Sequence, residues 1–167
     1  MSHIGVTIVL ILIVAVGIIY NRLTEARNKV KEAYASIDTN LQKRWDLVPG
    51  FVEIVKGYST FEEATIAKLT SLRNQKFEDF KMEQKLDVDK NMAKIINKMI
   101  TISENDPELT ANEEYTKLTE QFEKIEKNIS KSKKEYNKAV KEYNTKLEVV
   151  PNNVVAILFG FNEEKKF

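Results

Sequence analysis

Residues 44–58 read RWDLVPGFVEIVKGY, a Pro-Gly pair between two apolar runs in a chain otherwise rich in charge. This stretch is either a binding patch or a corner where one helix ends and the next begins, and the flanking periodicity decides. Upstream, Leu23, Ala26, Val30, Ala33, Ile37, Leu41, Trp45 and Val48 recur at steps of three and four, one face of a helix. Downstream, Phe51, Val52, Val55 and Tyr58, then Ala64, Ala67 and Leu72, supply a second apolar face. Proline disfavours the helical conformation at Val48 and lacks an interior N–H, yet suits a first helical turn. The expectation is a corner at Trp45, Pro49 and Phe51, with Asp46 capping the new helix and an irregular turn near Ser59-Thr60-Phe61.

Two further helices follow. Leu86, Met92, Ile95, Ile96, Met99 and Ile102 form one inward side, ended by Asn105-Asp106-Pro107. Residues 74–85, with Phe77 and Phe80 among charges, either prolong the second helix or connect it to the third. From Tyr115 through Leu118, Phe122, Ile125, Ile129, Ser132, Tyr136, Ala139 and Tyr143 to Lys146 runs a heptad seam, with Leu147 taking over the apolar role at its end. Strand signals are missing, Gly and Pro together number eight, and charged residues make up 31 %. The chain is all-α.

Residues 4–19 read IGVTIVLILIVAVGII, uncharged and apolar all round, closed by Tyr20. The 17 residues from Ile4 to Tyr20 cover about 25 Å as a helix, at the short end of a membrane span. A core helix would show a polar face. A cleaved signal peptide would use Ala15-Val16-Gly17, but it lacks a basic leader and the run flows unbroken into the next pattern. An uncleaved anchor is the reading, with Ile4, Val6, Ile8, Val9, Leu10, Ile11, Leu12, Ile13, Val14, Val16, Ile18 and Ile19 in the bilayer. Arg22, Arg27, Lys29 and Lys31 follow it and no Lys or Arg precedes it, which places the N-terminus outside and the remainder in the cytoplasm.

The expected architecture is a transmembrane helix (1–21) continuing into an elongated antiparallel four-helix bundle (22–148), then an apolar segment and charged tail (149–167). Up-down-up-down parity returns the chain to the membrane after Glu148. There it carries VVPNNVVAILFGF, too short to span. Val154, Val155, Ile157, Leu158, Phe159 and Phe161 either lie in the membrane interface or contact a partner, unless the segment caps the bundle.

Chemistry has few parts to work with. The chain has no Cys and a single His, His3, so thiol, Ser-His-Asp and His-rich metal sets are excluded. The five glycines are isolated and form no phosphate loop. Asp87-Val88-Asp89 resembles the start of a calcium loop without its Gly or final Glu, and Glu53, Glu62 and Glu63 read like it as solvated surface. A net charge of +1 offers no global field for nucleic acid. Tyr136-Asn137 and Tyr143-Asn144 repeat seven residues apart, and Tyr20-Asn21 repeats the pair on the first helix, which suggests Asn bonds between the two.

The chain resembles the LemA family of bacterial membrane proteins, through residues 20–58, ENDPELTANEEYTKL, KKEYNKAVKEYN, the late P-N-N-V and LFGF. Gly50 stands where that family often has Asn, and Trp45-Asp46 replaces a more usual Ala-Asp. The resemblance implies one N-terminal membrane helix and an antiparallel helical bundle, with no established activity. A magnetosome-membrane relative implies membrane shaping, and gene neighbours with a TPM domain imply a complex. The expected function is a non-enzymatic scaffold without cofactor or metal, homo-oligomeric and bound to the lipid bilayer of the bacterial inner membrane. Its alternative is an adaptor recruiting another membrane protein through the bundle surface.

Overall fold

In the computed structural model, residues 2–58 and 60–167 are described, apart from the side chain of Ser2. All regular structure among the described residues is helical, and they form no strand. The helices are α1 (Ser2–Trp45), α2 (Val48–Val55), α3 (Glu63–Arg73), α4 (Met82–Ser103), α5 (Pro107–Thr110), α6 (Glu113–Glu148) and α7 (Asn152–Phe159), with a 3₁₀ turn at Phe77–Asp79. Contacts divide the chain into two compact units, Met1–Ser36 with Lys131–Phe167, and Ile37–Ser130.

In the second unit the seam expected on α1 is the core: Ile37, Leu41, Trp45 and Val48 are buried. The break after Trp45 is short. Asp46 N–H still bonds to Gln42, Leu47 N–H to Arg44 and Phe51 N–H to Leu47, so helical hydrogen bonding crosses it. Leu47 itself stays in the right-handed helical region and Pro49 sits in the first turn of α2, where its missing N–H costs least. Asp46 does not cap α2; its carboxylate accepts from the Gln42 amide at 2.9 Å instead.

The helix change expected at Trp45, Pro49 and Phe51 is present, but the chain does not reverse there. Trp45 stacks on Phe77, with ring centroids 4.6 Å apart, so the chain leaves through α2 and is back beside Trp45 after α3. The reversal lies between Val55 and Glu63. Turns at Gly57 and Tyr58 open it, while Ser59, part of the expected irregular turn, lies outside the described residues. The expected second helix is thus two helices, and its inner face changes at the break. Phe51, Val52 and Val55 are buried as expected, but on α3 it is Leu69 that is buried, while Ala64 and Ala67 are exposed.

Partner numbers on α6 fall as those on α1 and α2 rise. Arg44 sits over the Phe122 ring, a Cβ on Gly50 would reach Leu118, Phe51 meets Phe122 and Tyr115, and Tyr58 accepts from Asn112. On α4 the numbers rise together, Asp38 with Lys85 and Arg44 with Asp89. Asp106 caps α5 by accepting from the N–H groups of Glu108 and Leu109.

The Arg44–Asp89 pair corrects the reading of Asp89 as solvated. Asp89 is 3 % exposed and its carboxylate takes a bidentate fork from Arg44, Nε to Oδ1 at 2.7 Å and Nη2 to Oδ2. Asp87 is exposed. The signal was present: Met82, Lys85, Asp89, Met92, Ile96, Met99 and Ser103 form one seam on α4, with opposite charges in it.

In the first unit, residues of α1 and α6 meet at Tyr34 with Tyr136 and at Ser36 with Ser132. Leu23, Ala26 and Val30 from α1, and Tyr136, Val140, Tyr143 and Leu147 from α6, are buried. Before Leu23 the helix is largely exposed. One 18-residue window near the N-terminus is long and apolar enough to cross a membrane, and none of it is buried.

Candidate membrane-contact site

The site is built where α6 gives way to α7. Val149–Pro151 link them, with a cis bond before Pro151, and the Asn152 side-chain amide donates to the Lys146 carbonyl at 3.0 Å. This bond satisfies a carbonyl that the last turn of α6 leaves without a helical partner, a physical role for the P-N-N stretch. Helix α7 then turns Val155 and Ala156 inward, where both are buried. At its end Gly160 has φ +70°, and Phe161 N–H bonds back to the Ala156 carbonyl at 2.9 Å. That left-handed cap, with a six-to-one bond, turns the chain out of the helix and suits glycine.

The turn brings two rings onto Tyr20. Phe159 and Phe161 meet it edge-on, with centroids 5.0 Å and 5.6 Å away. Tyr20 closes the apolar run of α1, so α7 lies at the end of that largely exposed run. Of the six residues expected to contact membrane or partner, Val155 is buried and Phe161 half-buried. Val154, Ile157, Leu158 and Phe159 are exposed, Ile157 by 84 % and Leu158 by 72 %. Val149 and Val150 extend this apolar surface. Among the expected spanning residues, Val16 and Ile19 are half-buried and the other ten exposed. At about 1.5–3 kcal/mol per large aliphatic side chain, that sleeve leaves on the order of 15 kcal/mol or more unmet in water.

Beyond Gly160, residues 161–167 carry no helix or turn. Asn144 and Asn137 pair with the backbone there, not with the Tyr20-Asn21 unit of α1 as the repeat suggested. Asn144 donates to the Glu164 carbonyl at 2.9 Å and accepts the Glu164 N–H at 3.0 Å; Asn137 does the same for Phe167, both at 3.0 Å. The Tyr136 hydroxyl donates to the Lys165 carbonyl at 2.9 Å, and Phe167 stacks on Tyr136 at 4.7 Å. Burial, then the Glu164 carboxylate, raises the Tyr136 pKa. Burial also raises that of Tyr143, against the lowering effect of Arg27, and its buried hydroxyl has no hydrogen-bond partner among the described residues.

Among the described residues, no three His, Cys, Asp or Glu side chains gather closely enough to hold a metal ion. The grooves of the second unit are open, one beside Ile66, Ala67 and Thr70, another beside Gly50, Tyr58 and Leu118.

The sequence matches the model of the LemA family over residues 33–167. The chain belongs to the LemA family. The matched residues of this LemA protein take in α7 and the Tyr-Asn units of α6, while the apolar run of 4–19 precedes them. No curated protein matches it.

Sequence reasoning located the apolar patch but missed the Asn partners. A side-chain amide accepts and donates alike, so its heptad spacing names a face and leaves the partner open.

Proposed function

We propose that this LemA protein is a non-enzymatic helical scaffold, anchored in the bacterial inner membrane by residues 4–19, that self-associates and shapes or organises the bilayer. The observation that carries this reading is the apolar surface of α7, left open beside Tyr20 at the end of the apolar run. A helix held in that place lies at the level of the headgroups and turns Ile157 and Leu158 toward them. Burying those two side chains contributes about 3–6 kcal/mol, which suits a wedge supported by a covalent anchor nearby. Arg22, Arg27, Lys29 and Lys31 then lie on the cytoplasmic side. The remaining helices form an antiparallel four-helix bundle, a reading supported by the falling and rising partner numbers of the second unit.

The test replaces Ile157 and Leu158 with Asp in the full chain and reconstitutes it in vesicles. Both side chains are exposed, so helix content stays unchanged while vesicle deformation, seen by electron microscopy, is lost. Unchanged deformation would remove α7 from the mechanism. Pure protein that leaves vesicles smooth, yet captures one membrane protein in stoichiometric amount, favours the adaptor reading. Particles that are monomeric in lipid sink self-association.

A further inference from the structure

The C-terminal segment is held mainly by its backbone, with one side chain, the Phe167 ring, adding a contact. Asn137 and Asn144 each close a two-bond ring with one backbone residue, donating to its carbonyl and accepting its N–H. Their seven-residue spacing is two helical turns, about 10.5 Å. The residues they hold, Glu164 and Phe167, are three apart, and three residues of extended chain cover about 10 Å. This match of repeats makes the face of α6 a ruler for an extended strand. Between the two clamped residues the Lys165 carbonyl accepts from the Tyr136 hydroxyl. At the second clamp Tyr136 and Tyr34 receive an aromatic ring, here Phe167 at 4.7 Å and 6.2 Å.

We propose that Tyr34, Tyr136, Asn137 and Asn144 form a binding site for an extended peptide strand with an aromatic residue at its second clamped position. Its own residues 164–167 fill it here, and the same segment of a second copy fills it in the assembled state. This rests on the self-association reading and names its contact. Three observations point to exchange. The strand is lightly covered, with Asn162, Glu163, Lys165, Lys166 and Phe167 exposed and Glu164 half-buried, so its departure uncovers little beyond the Tyr136 ring. The chain enters it through Gly160, the one residue of positive φ among those described, where a backbone change redirects the segment. Each copy carries both groove and strand, so reciprocal exchange closes a two-fold pair, and confinement to one surface raises the encounter concentration.

The chain has no Cys, so single cysteines report the contact directly. Lys141 lies between the two clamps on α6 and Lys166 between the two clamped residues; both are exposed. Full-length Lys141→Cys and Lys166→Cys proteins would be mixed in phosphatidylethanolamine–phosphatidylglycerol vesicles and oxidised. Exchange predicts a mixed disulfide dimer at least ten-fold above either same-variant dimer. That excess falls to the same-variant level when the Lys141→Cys chain also carries Asn137→Ala and Asn144→Ala, or when the Lys166→Cys chain carries Phe167→Ala. A mixed dimer no more abundant than the same-variant ones overturns the proposal, as does an excess indifferent to those changes. Amine-reactive crosslinking of the same vesicles separates the two readings. Oligomers without the mixed disulfide sink strand exchange alone, and no oligomers sink self-association with it.

Discussion

The buried Arg44–Asp89 pair makes the sharpest stability prediction. Asp89→Leu leaves a buried guanidinium without its carboxylate, over the Phe122 ring at 5.3 Å and with Nη1 already lacking a hydrogen-bond partner among the described residues. Arg44→Met leaves a buried carboxylate without its cationic partner. Removing one member of such a pair costs about 3–5 kcal/mol, because the other charge stays desolvated. At about 2–4 °C per kcal/mol for a chain of this size, either change lowers Tm by about 6–20 °C. The double variant Arg44→Met/Asp89→Leu replaces the pair with apolar volume and should lie within about 1 kcal/mol of the parent. Trp45 is the sole Trp and stacks on Phe77 in the same unit, so its fluorescence during thermal or urea unfolding reports this unit. Single variants costing under about 1 kcal/mol, or a double variant as unstable as the sum of the singles, would refute the reasoning. The neighbouring Lys85–Asp38 bond, 2.7 Å with Asp38 half-exposed, should yield less than about 1 kcal/mol in the same cycle.

Other expectations follow from the first unit and from α2. Tyr143→Phe removes a buried hydroxyl that has no hydrogen-bond partner among the described residues, and should leave stability at pH 7 unchanged or slightly higher in calorimetry. The folded pKa of Tyr143 is raised, so the unfolded chain loses that proton first, and its contribution is intact below about pH 10 and lost above it. The variant should therefore show a shallower alkaline fall in Tm, and an identical fall would contradict the burial argument. Gly160→Val places a β-branched residue at φ +70° and should cost about 1–2 kcal/mol. Limited trypsin digestion should then cut faster at Lys165 and Lys166 while α6 persists. Gly50→Leu forces atoms past a Cβ that already meets Leu118 at 3.0 Å and should cost about 1–3 kcal/mol by chemical unfolding.

The seams of α1, α4 and α6 were legible because burial on a helix recurs every three or four residues. Leu23, Ile37, Leu41, Phe122, Tyr143 and Leu147 are buried where that period puts them. On α3 the same reasoning chose Ala64, Ala67 and Leu72, because it carried one register through a break that resets it; Leu69 is the buried residue, Leu72 is half-buried and the two alanines are exposed. Lys85 and Asp89 were passed over because charge outweighed position, although their seam positions are those of core residues.

What the sequence determined alone was local: an all-helical chain, an apolar run at 4–19, seams with their faces, and an apolar segment after Glu148. Each rests on interactions within a few residues, where periodicity and composition leave little freedom. The tertiary structure decided what depends on distant partners. Pro49 fits the first turn of a helix whether or not the chain reverses there, and only the partners beyond it, Gly50 with Leu118, Phe51 with Tyr115 and Tyr58 with Asn112, carry the chain past Val55 before it returns to Trp45 at Phe77. An Asn side chain pairs with any backbone amide in reach, and only the turn at Gly160 brings Glu164 and Phe167 to Asn144 and Asn137. Exposure of Ile157 and Leu158 was likewise a tertiary choice, since α7 spends its one inward face on Val155 and Ala156.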